Sequence, residues 1–144
     1  MGTASPSSAP LTTPDPDLPL RARVHVRSYE LDSFGHVNNA VYLTYLEQSR
    51  FAYLEHLELV REQADMAMIL ARVEIDFRSP LGAGERFGIG VRPTRVGRKS
   101  FELEHELRSG ERLVATARGV LVGYDYRTGE TVAIPDTWRR SLTP

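Results

Sequence analysis

The chain has 144 residues, of which 41% are hydrophobic and 26% charged, with a formal net charge of −1. This length accommodates one domain with a sizeable core but not two, and the balanced charge excludes a general nucleic-acid binder. The absence of cysteine excludes disulfides, thiolate nucleophiles and cysteine zinc sites, and no apolar run approaches the ~18 residues of a membrane span.

Residues 1–19 carry Pro6, Pro10, Pro14, Pro16 and Pro19 among many Ser and Thr. Such a segment has little apolar surface to offset the entropy of ordering, and it is expected to be a disordered tail ahead of a domain over 20–144. It has neither the basic start nor the apolar stretch of a secretory signal, so a cytoplasmic location is expected. From Arg21 to Arg27 the pattern alternates, with Ala22, Val24 and Val26 on one side and Arg21, Arg23, His25 and Arg27 on the other. That is a half-buried first strand.

The loop that follows, Tyr29-Glu-Leu-Asp-Ser-Phe-Gly-His-Val-Asn-Asn-Ala-Val-Tyr42, concentrates the chemistry of the chain. It places a carboxylate (Asp32), a glycine bend (Gly35), a histidine (His36) and two asparagines (Asn38, Asn39) directly ahead of an apolar helical run. Asp32 can activate water or attack a carbonyl itself, and the free N–H groups of a helix start can hold a developing oxyanion. The competing reading is an Asx-turn followed by an Asn cap. A cap accounts for one of the two asparagines.

Ala40 to about Leu57 reads as a helix with no internal Gly or Pro, and its wide apolar coverage suggests burial on most sides. Five strand candidates follow. Ala71, Val73, Ile75 and Phe77 alternate with charged residues, and Pro80–Glu85 is a turn. Phe87, Ile89 and Val91 form the apolar side of the next strand, and Phe101, Leu103 and Leu107 that of the one after Gly97–Ser100. Leu113–Tyr124 is longer and more continuously apolar, as suits an interior strand. A short strand at Val132–Ile134 precedes a C-terminal segment with Trp138. One helix followed by an antiparallel meander is a compact α+β arrangement. The histidines His25, His36, His56 and His105 have no metal-ligand spacing, so no metal or cofactor is expected. His105, on the apolar side of its strand, reads as a satisfied core or interface histidine.

Asp32-Ser-Phe-Gly-His-Val-Asn-Asn-Ala-Val-Tyr42 resembles the D-x-x-G-H-V-N-N-x-x-Y motif of hot-dog acyl-CoA thioesterases. These form the 4-hydroxybenzoyl-CoA-thioesterase-like group, and the likeness is to its bacterial long-chain acyl-CoA enzymes. Pro80–Glu85 and Gly97-Arg-Lys-Ser-Phe101 fall where that family has its turn and its G-x-K-S-F segment; the resemblance covers about residues 21–134. It implies the hot-dog fold, one long helix wrapped by a curled antiparallel sheet of five to six strands, and hydrolysis of a fatty acyl thioester to acid and coenzyme A. By the family pattern Asp32 is general base or nucleophile. The Asn39 backbone N–H receives the thioester oxygen, His36 and Asn38 shape the loop or orient water, and Gly35 permits a positive φ or a close approach. The sequence after the aspartate departs from that of the 4-hydroxybenzoyl enzyme, which implies an aliphatic rather than an aromatic acyl group.

Tyr42, with Tyr45 and Leu46, either lines an acyl tunnel or is plain core. Arg98, Lys99 and Ser100 either hold coenzyme A phosphates of a neighbouring subunit or are a solvated turn. A homodimer or homotetramer is implied, with active sites at the seam. Two other classes fit the same fold. A hot-dog acyl-thioester hydratase or dehydratase places a catalytic His with a carboxylate in a different motif, and a non-catalytic acyl-CoA or acyl-carrier binding module has no need of Asp32.

Overall fold

The computed structural model describes residues 11–62 and 67–144. Its elements run β1 (Leu20–His25), a single 3-10 turn (Ser28–Glu30), α1 (Val41–His56), β2 (Met68–Phe77), β3 (Arg86–Val96), β4 (Ser100–Ser109), β5 (Arg112–Asp125), β6 (Glu130–Thr131) and α2 (Asp136–Leu142). The strands form one antiparallel sheet in the order β1-β3-β4-β5-β2, with β6 added against β5. The sheet and the helix against it make the expected hot-dog arrangement. Among the described residues no helix is long and apolar enough to cross a membrane.

The alternation read from the sequence sets which side chains meet the helix. Phe87, Ile89 and Val91 of β3 and Phe101, Leu103 and Leu107 of β4 are buried, together with Val114, Ala115, Ala117 and Leu121 of β5. α1 lays Tyr42, Tyr45, Leu46, Ser49, Tyr53 and Leu54 onto them. Tyr45 meets Phe87 edge to face at 5.0 Å, and the Arg21 guanidinium lies 5.2 Å over the Tyr53 ring. Each large side chain buried this way stabilises by about 1.5–3 kcal/mol.

Three expectations change. The helix is not wrapped on most sides: Leu43 is 45% exposed, while Arg50 is buried beside the core instead. The last strand is Glu130–Thr131, and residues 132–134 continue as irregular backbone, with the Val132 N–H on the Gly123 carbonyl and the Ile134 N–H on the Arg98 carbonyl.

The third concerns the expected tail. Residues 1–10 lie outside the described residues, but 11–19 pack on the outer face of the sheet. The Asp15 N–H donates to Glu106, Arg92 donates to the Thr13 carbonyl, and Arg118 to that of Leu11. Leu18 and Leu20 seat where a Cβ on Gly90 or Gly88 would intrude, at 2.8 and 2.7 Å. Composition misses this because the segment's partners are charges and glycines on strands far away in sequence.

His105 is fully buried, as expected of a core histidine, and its Nδ1 lies 2.9 Å from Ser49 Oγ. Ser49 Oγ also lies 2.9 Å from the Leu46 carbonyl, so the histidine sits in a buried polar contact between helix and sheet. Burial, helped by the nearby Arg50 charge, pushes the His105 pKa down to about 3 from 6.5. Between those values the unfolded chain takes up a proton that the folded chain refuses, so this contribution to stability is complete above pH 6.5 and is lost as the pH falls towards 3. Denaturant unfolding between pH 7.5 and 5.5 is expected to show stability falling, by up to about 1.4 kcal/mol per pH unit from this group. The His105→Gln variant is expected to show a visibly flatter dependence; equal slopes would mean that His105 does not titrate on unfolding.

Candidate active site

The loop between β1 and α1 is pinned from both sides. Its start is held by the Val26 N–H on the Glu85 carbonyl at 2.8 Å, and its return by the Val37 N–H on the Leu81 carbonyl at 2.9 Å, next to a bridge between His36 and Gly82. Between these anchors the Glu30 carboxylate, buried to 9% exposure, accepts the Arg27 N–H at 2.8 Å and the Tyr45 hydroxyl at 3.0 Å. The Glu30 carbonyl takes the Asn38 N–H at 2.9 Å. Burial raises the Tyr45 phenol pKa, and the Glu30 hydrogen bond and charge add to it, so Tyr45 is a donor here.

Residues 32–36 form a small closed turn on this base. The Asp32 N–H donates to the His36 carbonyl at 2.7 Å, and Asp32 Oδ1 accepts the N–H groups of Phe34 at 2.8 Å and His36 at 3.3 Å. Gly35 supplies the bend with φ +80°. Asp32 is therefore an Asx-turn residue through one oxygen, while Oδ2 has no protein partner among the described residues. The same division holds at the helix start. Asn38 Oδ1 caps the Ala40 N–H at 2.9 Å, and the Asn38 carbonyl takes the Val41 N–H at 2.9 Å. The Asn39 N–H is left without an acceptor among the described residues.

The two residues that carry these groups, Asp32 and Asn39, line one open cleft of about 280 Å³. Asp32, His36, Val37, Asn39 and Tyr42 form one wall, and Phe77, Arg78, Ser79 and Pro80 the other. Tyr42 is buried edge-on against Phe77 with ring centroids 5.0 Å apart. Burial raises its pKa, with the Arg112 charge and a hydrogen bond at the Leu81 backbone acting against that. The cleft thus offers a free carboxylate oxygen, a free amide at a helix start and an apolar floor, the parts that acyl transfer needs close together. No cluster of three metal-ligating side chains occurs among the described residues.

Of the residues singled out in the sequence, Asp32, His36, Asn39 and Tyr42 meet in this cleft, and Gly35 and Asn38 shape the loop behind it. Arg98, Lys99 and Ser100 are not brought there. They sit at the opposite end of the ten-residue strand β4, roughly 30 Å along the sheet. There the Arg98 carbonyl takes the Ile134 N–H, and Lys99 Nζ donates to Thr131 Oγ1 at 3.2 Å. Sequence reasoning missed Glu30 and the second wall, Phe77–Pro80. Glu30 stood inside the quoted loop, but only its burial reveals its role. The wall had no local signal beyond the turn that begins at Pro80.

The profile of the thioesterase-like superfamily matches residues 26–142. The chain belongs to the thioesterase-like superfamily. A solved thioesterase of Thermus thermophilus, complexed with coenzyme A and Zn, superposes with a TM-score of 0.76 and 32% identity, over 89% of this chain and 94% of that one. The long-chain acyl-CoA thioesterase FadM of Escherichia coli is 28% identical over 127 residues, 85% of this chain and 96% of FadM. A chloroplastic acyl-acyl carrier protein thioesterase of Arabidopsis thaliana is 29% identical over 119 residues, 79% of this chain and 62% of that longer protein. Membership of the superfamily places the chain among thioester hydrolases.

Gly35 tests the loop geometry without touching the cleft. A Cβ there meets nothing within 4 Å, so Gly35→Ala is expected to cost about 1–2 kcal/mol from backbone strain alone. Gly35→Asn, which tolerates this region better, is expected to cost less. Denaturant midpoints check the order, and a reversed order would mean that the turn does not hold this conformation.

Proposed function

We propose that the chain hydrolyses a fatty acyl thioester of coenzyme A to the free acid and coenzyme A, with Asp32 as the reacting carboxylate. The observation that carries this reading is that Asp32 and Asn39, which keep an unpartnered carboxylate oxygen and an unpartnered N–H among the described residues, line one cleft at the helix start. The Phe34 and His36 amides fix the carboxylate through Oδ1 and leave Oδ2 to react. In one route Oδ2 takes a proton from water as the water oxygen bonds to the thioester carbon. In the other Oδ2 bonds to that carbon, and water then cleaves the resulting anhydride. Both break the C–S bond, and the proton ends on the departing thiol. In both, negative charge gathers on the thioester oxygen, where a preorganised N–H such as that of Asn39 stabilises the transition state by about 3 kcal/mol. His36, on the cleft wall with an exposed side chain, orients water or substrate. Tyr42 and Phe77 give an apolar wall that suits an aliphatic chain. Coenzyme A is favoured as carrier by the match along nearly the whole of FadM.

β2 is the sheet edge beside the cleft, ten residues long and unpaired on its outer side among the described residues, with Ile69, Leu70 and Phe77 between 38% and 48% exposed. An edge of that length and character pairs with another chain. We therefore propose that two copies join along β2, placing each cleft near the seam, with a tetramer as a pair of such dimers.

Free-thiol release from a panel of acyl-CoAs tests the reaction, and Asp32→Asn tests the residue. Asn keeps the turn-forming oxygen and removes the basicity. The expected result is a fall in kcat of about a hundredfold or more with an unchanged melting temperature. Near-parental turnover would reduce Asp32 to its turn role and remove the mechanism.

A further inference from the structure

Residues 78–85, between β2 and β3, belong to no helix or strand, yet both walls of the Asp32 cleft depend on them. Arg78, Ser79 and Pro80 are part of the second wall itself. The Leu81 carbonyl and the bridge at Gly82 hold the returning limb of the loop at Val37 and His36, and the Glu85 carbonyl holds its start at Val26. The Arg78 and Ser79 N–H groups are pinned on the Val114 carbonyl of β5. From Pro80 onward the connection is closed on itself by the Glu85 N–H on the Gly82 carbonyl, a long bond of 3.3 Å. A segment with no ladder of its own opens locally at low cost, so the spacing of the two walls needs a support from outside it.

Arg112 supplies that support. It opens β5, at the tip of the hairpin from β4, and the sequence offers no local signal that singles it out. One guanidinium nitrogen donates to the Pro80 carbonyl at 2.7 Å and to Ser79 Oγ at 2.9 Å, and the other is ion-paired with the Glu85 carboxylate. The second Glu85 oxygen accepts the Gly82 N–H at 2.9 Å. The Ser79 hydroxyl donates in turn to the Leu113 carbonyl at 2.9 Å. One fork thereby joins the wall to the residue that anchors the start of the loop. The planar guanidinium holds two sets of acceptors at fixed angles, which an ammonium group does not. Arg112 is not among the residues that line the cleft, so it acts through its neighbours.

We propose that Arg112, seated on Glu85, is a positioning residue for the thioester reaction: it fixes the Ser79–Pro80 wall against the loop that carries Asp32 and Asn39. The kinetic consequence rests on the thioesterase reading; the brace itself does not. The Arg112 and Glu85 side chains are 40% and 25% exposed, and an exposed ion pair contributes little to global stability. A misplacement of about 1 Å in a reacting site costs on the order of a hundredfold in rate. The arginine therefore matters far more for turnover than for folding, which separates a positioning residue from a stabilising one.

The test compares the full-length parent with Arg112→Ala and Arg112→Lys. Arg112→Ala is expected to lower kcat by about tenfold or more, equally for acyl-CoA and for the same acyl group on pantetheine, which has no phosphates. KM and melting temperature are expected to change little. Arg112→Lys keeps the charge and loses the fork, and is expected to recover only part of the rate. Without substrate, amide hydrogen exchange in Arg112→Ala is expected to be about tenfold faster at Val37, whose N–H is held by Leu81, and unchanged at Leu103 in the middle of β4. Parental turnover or parental Val37 exchange in Arg112→Ala would overturn the proposal, as would full recovery by lysine. A KM rise confined to acyl-CoA would also overturn it, by making Arg112 a contact for the carrier's phosphates. The exchange measurement needs no hydrolysis, so a parent chain that cleaved no thioester would contradict the thioesterase reading, while faster Val37 exchange in Arg112→Ala would still uphold the brace.

Discussion

The buried Glu30 carboxylate is the interaction on which the site depends. It collects the Arg27 N–H from the turn and the Tyr45 hydroxyl from the helix, while its carbonyl takes the Asn38 N–H as the loop returns. Strand end, loop return and helix thereby share one residue. A carboxylate this buried is tolerated because its hydrogen bonds are made, and removing one partner would leave it costly. The consequence is positional: the Asp32 turn and the helix start are tied to the same residue. A carboxylate oxygen and an amide can face the same carbonyl only if that is so.

Within this body the turn and cap use some atoms of the loop and leave others for the proposed chemistry. The Asx-turn consumes Asp32 Oδ1, and the cap consumes the Asn38 side chain. What the turn and the cap leave over, Oδ2 and the Asn39 N–H, is what chemistry requires. On the proposed reading the two adjacent asparagines have different tasks. The first satisfies a helix-start N–H that would otherwise be orphaned, and the second contributes its backbone, so its side chain is not the feature that matters. Gly35 with its positive φ is the condition for closing the turn on Asp32 Oδ1.

Much of this was legible in the sequence because it is local. Period-two alternation in Val24 and Val26, in Phe87–Val91 and in Phe101–Leu107 encodes which face meets the helix, and the helix bounds follow from a run free of Gly and Pro. The loop was legible because turn, cap and helix start are short-range events. What was hidden is carried by contacts across strands. Phe77–Pro80 become the second cleft wall only when β2 docks on β5, Arg50 is buried only by the helix's seat on the sheet, and residues 11–19 are held by Glu106, Arg92 and Arg118. None of those partners is within reach of a local pattern. Arg98, Lys99 and Ser100 illustrate the converse. A motif-like segment is visible in sequence, yet the sheet carries it to the end opposite the cleft within the chain.

The central claim is that Asp32 and the Asn39 N–H address the same thioester, and a structure of the Asp32→Asn variant holding intact acyl-CoA tests it most directly. The account predicts the thioester oxygen about 3 Å from the Asn39 nitrogen, with the thioester carbon facing the side-chain nitrogen or oxygen of the substituted residue 32 across no more than a water molecule. A thioester bound elsewhere, or bound in the cleft with its oxygen turned away from Asn39, would contradict the account.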